Sequence, residues 1–198
     1  MELARRDVQV LGVDKDPKIV QDLSEALTHV VSADTTDIDV LRQLGVADFG
    51  HAVVAIGTAT EASILTVAAL ADLGLTSIWA KATSRMQAKI LRRVGAHEVV
   101  LPEHEMGERL AHLVTGRMLD YIRFEDDYAL VKTRTPKEAV GKTLGQAGLR
   151  TKYGVTVVGI KRTGQPFTYA TQDTLVEPDD IMIVAGRTKA TEDFAEMT

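Results

Sequence analysis

The chain has 198 residues, 45% of them hydrophobic, and a formal charge of −5; this suffices for one large domain or two small unequal ones, each with a real core. The negative balance offers no basic face to a phosphate backbone or to anionic lipid, which argues against nucleic acid as a partner. With no cysteine present, a disulfide scaffold, a thiolate nucleophile and Cys-ligated zinc are excluded, and a reducing, cytoplasmic setting is expected.

Met1 to Asp7 is charged and reads as the end of a helix rather than a signal peptide. Short apolar runs then alternate with amphipathic segments: Val8 to Asp14, His29 to Asp34, Ala52 to Gly57, Ser77 to Ala82 and Glu98 to Leu101. This is the rhythm of a parallel sheet covered by helices, and the nearly continuous Val, Ile, Leu and Ala content predicts strands buried on both faces. Asp16 followed by Pro17 supplies an N-cap and a proline for the first helical position, and Thr60 and Ser84 are placed to cap later helices. Gly45, Gly74 and Gly95 each follow the residue that closes an apolar period, where a left-handed C-terminal residue is wanted. Trp79 reads as core packing. The longest apolar stretch, Ala62 to Leu73, is interrupted by Ser63, Thr66 and Asp72 and falls short of the roughly 18 residues that a membrane span requires.

After Pro102, Met106, Leu110, Leu113, Val114 and Met118 recur at three- and four-residue spacing, which predicts a connector helix over about residues 104–119. The first domain is therefore assigned to residues 1–119 and a second to 120–198. The second reads as a compact α+β module: strand Tyr128 to Arg134, helix Lys142 to Arg150, strands Val155 to Lys161, Pro166 to Ala170 and Asp180 to Ala185, and a final short helix. Thr163 and Gly164 make the hairpin turn between its middle strands. The fold class expected is α/β, a Rossmann-type doubly wound parallel sheet followed by a small C-terminal α+β domain.

Binding residues are sought at the carboxyl ends of the strands, where an open parallel sheet places its ligand crevice. Asp14 ends the first run and can accept both ribose hydroxyls of an adenosine, or can help Asp16 cap the next helix. Asp34 ends the second run and can accept the amine of adenine, or can serve as a turn aspartate. Gly57 would let backbone approach a sugar or phosphate closely. Lys81 and Glu103 point to the same sheet edge, where they can meet a phosphate and a cation or simply stay solvated.

Catalytic patterns are missing. The five histidines contain no i, i+4 pair, no serine lies in a Gly-x-Ser-x-Gly elbow, and there is no Gly-x-x-x-x-Gly-Lys phosphate loop. The second domain offers no acid–base pair to set against a nicotinamide ring. A binding protein rather than an enzyme is expected.

Val-Leu-Gly-Val-Asp-Lys-Asp-Pro, Ala-Asp-Thr-Thr, Val-Val-Ala-Ile-Gly, Ile-Trp-Ala-Lys-Ala and Leu-Pro-Glu-His-Glu-Met-Gly follow one another in order, and Val-Thr-Val-Val-Gly-Ile-Lys-Arg and Val-Glu-Pro-Asp-Asp-Ile-Met-Ile-Val-Ala-Gly come after them. In this the whole chain resembles the RCK-type regulatory subunits of Trk and Ktr potassium-uptake systems. The resemblance implies a homo-oligomer, a dimer or higher and up to an octameric ring, docked at the inner face of the membrane under a potassium translocation subunit. It implies a shape change driven by ATP, ADP or NAD(H). By position, Asp14 would hold the ribose, Asp34 and Thr35 would lie by the adenine, Gly57 near the sugar-phosphate, Lys81 near the phosphates, and Glu103 near a cation at a subunit interface.

The family begins with a strand and a Gly-x-Gly-x-x-Gly turn, with the ribose acid about 20 residues beyond it, whereas only 13 residues precede Asp14. The expectation is a natural protein longer by about 20 residues, and weak or no nucleotide binding by the chain as it stands. A dehydrogenase or its remnant, and a structural adaptor with a dead pocket, are the alternative readings.

Overall fold

A computed structural model describes residues 2–114, 116, 118–124 and 126–198. The chain divides into two compact units, residues 1–104 and 105–198.

The first unit starts with a single helical turn, α1 (Glu2–Arg5), and β1 (Leu11–Asp14), α2 (Pro17–Leu23) and β2 (His29–Ser32) follow as a parallel β-α-β unit. Asp16 caps α2, accepting the amide of Lys18, with Pro17 at the first helical position. After α3 (Ile38–Gln43) the rhythm repeats in β3 (Ala52–Val54), α4 (Thr60–Asp72), β4 (Ile78–Lys81), α5 (Arg85–Arg93) and β5 (Glu98–Val100). Ser84 caps α5 through the amide of Gln87, but Thr60 caps nothing: it is the first residue of α4, and Ala59 holds the cap position without a side-chain bond.

These strands form two parallel sheets, β1–β2 and β3–β4–β5. Among the described residues β1 pairs only with β2, and β3 only with β4.

α4 and α5 cover one face of the larger sheet, burying Ile78, Ala80 and Val54 with Val67, Leu70 and Leu91. The opposite face is open among the described residues. Val53 and Trp79, register partners across β3 and β4, are 67% and 43% exposed. Both the expected burial of these strands on two faces and the reading of Trp79 as core are thus corrected: alternate residues of a strand point to opposite faces, and only one face is covered. Gly95, with φ at 114°, ends the turn after α5 so close to α4 that a Cβ there would stand 2.5 Å from the Cβ of Ala71.

α6 (Pro102–Val114) begins at the end of the first unit, and its later turns belong to the second. β6 (Met118–Phe124), β7 (Tyr128–Arg134), β8 (Thr156–Lys161), β9 (Thr168–Tyr169) and β10 (Ile181–Arg187) form one antiparallel sheet of order β6-β7-β10-β8-β9. α9 (Thr188–Ala195) packs on it, with Phe194 fully buried among Val131, Val155, Met182 and Val184.

Two features differ from expectation. The helix read over 142–150 is two short ones, α7 (Leu144–Ala147) and α8 (Leu149–Tyr153), because Gly148 between them takes a left-handed φ of 61°. Residues read as the end of the connector form β6, so α6 stops at Val114 and the compact units divide near His104 rather than at 119. A register shift between Met118 and Asp120 breaks the two-residue alternation, which hid the strand from periodicity. Arg109 to Asp120 at 2.8 Å, and the stacking of His112 on Tyr121 at 4.2 Å, tie α6 to β6.

Candidate functional site

The sequence-selected residues gather in two clusters, both at carboxyl ends of parallel strands. In the first, Asp14 closes β1. Its Oδ1 accepts the amide of Asp16 at 2.9 Å, which shapes the turn into α2. Its second oxygen has no hydrogen-bond donor among the described residues and is available to a ligand hydroxyl. Asp34, two residues beyond β2, is fully engaged: Oδ1 accepts the amide of Thr36 at 2.9 Å and its hydroxyl at 2.6 Å, and Oδ2 lies 2.8 Å from the ammonium of Lys15. The lysine bond first, and then the two from Thr36, hold the Asp34 carboxyl down from 3.8 to about 2. The Thr35 hydroxyl is 2.9 Å from that of Thr66 on α4, so it joins the loop after β2 to the helix beyond β3.

In the second cluster Lys81, the last residue of β4, reaches Glu103 in the first turn of α6, with Nζ 2.6 Å from Oε1. Its ammonium also passes close to Gly57, where an added Cβ would stand 3.5 Å away. The Glu103 carboxyl is held below the usual range by the Lys81 bond first and by its own backbone amide second. Beside the pair, Arg85 Nη2 is 3.1 Å from His104 Nε2. Among the described residues no group of three or more His, Asp or Glu side chains is arranged to hold a metal ion.

Sequence reasoning singled out Asp14, Asp34, Thr35, Gly57, Lys81 and Glu103, and did not pick out Lys15 and Thr66, which the structure sets against Asp34 and Thr35. Lys15 stands beside Asp14 in the chain, but its ion-pair partner is 19 residues away, and nothing local signals it. Apart from these clusters, the second unit carries a concavity of about 520 Å³ lined by Lys152, Tyr153, Arg187, Lys189 and Asp193 among others.

Parallel β-α-β units with a carboxylate at the end of β1, followed by an antiparallel α+β module, define a Rossmann-type domain followed by a small α+β domain. Residues 1–102 match the TrkA-N domain and residues 129–198 the TrkA-C domain, and the chain belongs to the family that these two domains define. It is 35% identical over 185 residues to the Ktr system potassium uptake protein C of Bacillus subtilis, covering 93% of this chain and 84% of that one. It is 31% identical to the Ktr system potassium uptake protein A of the same organism, covering 95% and 85%. Among solved structures, the RCK domain of GsuK is similar in fold over 99% of this chain, with a TM-score of 0.66 and 20% identity; the match spans 43% of that chain. The GsuK channel bound to NAD gives a TM-score of 0.65 at 21% identity, over 96% of this chain and 35% of that one. No helix among the described residues is long and apolar enough to cross a membrane.

Proposed function

We propose that this chain is a nucleotide-sensing regulatory subunit of a membrane potassium-uptake system, acting through conformational change and not through catalysis. The observation that carries the reading is the 35% identity to a Ktr potassium uptake protein over 93% of the chain. The unengaged oxygen of Asp14 at the carboxyl end of β1 supports the ligand class, since a carboxylate at that place can take the two hydroxyls of a ribose.

In this reading Asp14 holds the ribose of ATP, ADP or NAD(H), with Asp34 and Thr35 on the adenine side, Gly57 by the sugar-phosphate and Lys81 at the phosphates. Asp34 contributes as part of the Lys15–Asp34 pair, because both of its oxygens are in use. Glu103 lies near a cation that accompanies the phosphates. The protein works in the cytoplasm as a homo-oligomer, a dimer or a larger ring, against a membrane-embedded translocation subunit. A ligand regulates by binding one conformation of the assembly more tightly than another.

Equilibrium titration with ATP, ADP, NAD and NADH, with a turnover assay alongside, tests the reading. Weak but saturable binding without turnover is expected. Turnover of a nicotinamide cofactor would replace this function with a dehydrogenase, and no binding of any nucleotide would leave a structural adaptor.

A further inference from the structure

We propose that Lys81 is a cation shared between two acceptors: without ligand it is paired to Glu103 at the start of α6, and the phosphate of a bound ligand withdraws it, so that phosphate binding breaks the Lys81–Glu103 pair. This rests on the nucleotide reading of the strand-end site and adds its regulation.

Lys81 stands at the end of β4 between Glu103 and Gly57, the glycine assigned to the sugar-phosphate in the proposed reading. Its side chain is 29% exposed, its ammonium passes Gly57 and meets Glu103 at 2.6 Å, and Glu103 itself is 63% exposed. A lysine ammonium is a compact charge with three donors on a flexible stem, so it can turn from one acceptor to another without rebuilding the strand that carries it. A phosphate carries more charge and more acceptor oxygens than a single exposed carboxylate, and it wins that competition.

Glu103 is prepared to be left. It sits in the first turn of α6, where the helix dipole favours a carboxylate, and it takes a hydrogen bond from its own amide. The exchange therefore strands no buried charge. It does remove the side-chain tie between β4 and the first turn of α6. The later turns of α6 remain held by Arg109 to Asp120 and by Glu108 to Arg123. The first turn of α6 keeps the contact of His104 with Arg85 but loses its tie to β4, and this is the local event by which a phosphate at the strand ends would reach α6.

The test is titration of the full chain with ADP and with adenosine in buffer containing EDTA, which removes any cation that Glu103 would otherwise ligate. Glu103→Gln is expected to bind ADP about two- to fivefold more tightly than the unaltered chain, because the competing carboxylate is gone, with the gain confined to the phosphate-bearing ligand. In a Lys81→Met background the same glutamate substitution is expected to do nothing further. An Glu103→Gln protein that binds ADP as well as or less well than the unaltered chain overturns the proposal while leaving the nucleotide reading intact. So does a gain that persists without Lys81. If the unaltered chain binds neither adenosine nor ADP, the nucleotide reading itself fails, and this proposal fails with it. Circular dichroism melts of each variant separate loss of binding from loss of fold.

Discussion

Lys15 and Asp34, on the loops that leave β1 and β2, meet with Nζ 2.8 Å from Oδ2 and close the carboxyl ends of the two strands against each other. An acid that the sequence offers either to adenine or to a turn is thus both bonded to Thr36 in its own turn and paired with the lysine beside Asp14. The pair gives the first testable consequence. The Asp34 carboxyl is depressed from 3.8 to about 2 in the folded chain, chiefly by Lys15. A depressed carboxylate contributes stability above its unfolded pKa, and that contribution is lost as pH falls through the interval from about 4 to about 2. A carbon-detected NMR titration is expected to place the Asp34 midpoint near 2, and Lys15→Met to move it upward. A midpoint near 4 in the unaltered chain would mean that the ion pair does not persist in solution.

Asp14→Ala removes the carboxylate whose second oxygen is open to ligand. Charge-assisted hydrogen bonds of this kind are worth enough that adenosine-nucleotide affinity is expected to fall roughly 10- to 150-fold. Calorimetric titration of a folded variant checks this, and unchanged affinity would remove Asp14 from the site.

Gly95→Ala is expected to destabilise the first unit by about 1–3 kcal/mol, since it both overpacks and strains the backbone. The new methyl would stand 2.5 Å from Ala71 Cβ, and φ is 114°. Urea unfolding followed by a probe in the first unit measures the loss. Gly74→Ala, where φ is also positive but nothing lies within 4 Å of the added Cβ, should show the strain alone and therefore cost less.

Met106, Leu110 and Val114 lie along α6 with 50%, 50% and 83% exposure. A stripe of this kind needs cover, and in the proposed assembly a second subunit supplies it. Light scattering at tens of micromolar is expected to find a dimer or larger species. Leu110→Glu combined with Val114→Glu should shift it toward the monomer. A monomeric unaltered chain, or assembly indifferent to both charges, would assign the stripe another role.

Much of the architecture is written in short-range chemistry. Asp16 and Pro17 start α2, Ser84 starts α5, and Gly45 follows α3 in a left-handed conformation, each because the backbone groups at a helix end must be satisfied within a few residues. The strand at Tyr128–Arg134 and the strand-end positions of Asp14 and Lys81 were legible from short apolar runs and where they end, and the order of elements and the resemblance to a family from motifs in sequence. What the tertiary structure alone decided is which side chains meet and which faces are covered. Lys15 finds Asp34 across 19 residues, Thr35 finds Thr66 across 31, and Lys81 finds Glu103 across 22, because the crossovers bring their strand ends together. Trp79 has the composition of a core residue and yet is exposed, because α4 and α5 lie on the other face of its sheet. Local sequence encodes the conformation of a segment, whereas the partner of a charge and the burial of a ring depend on segments far along the chain, which only the assembled fold brings within reach.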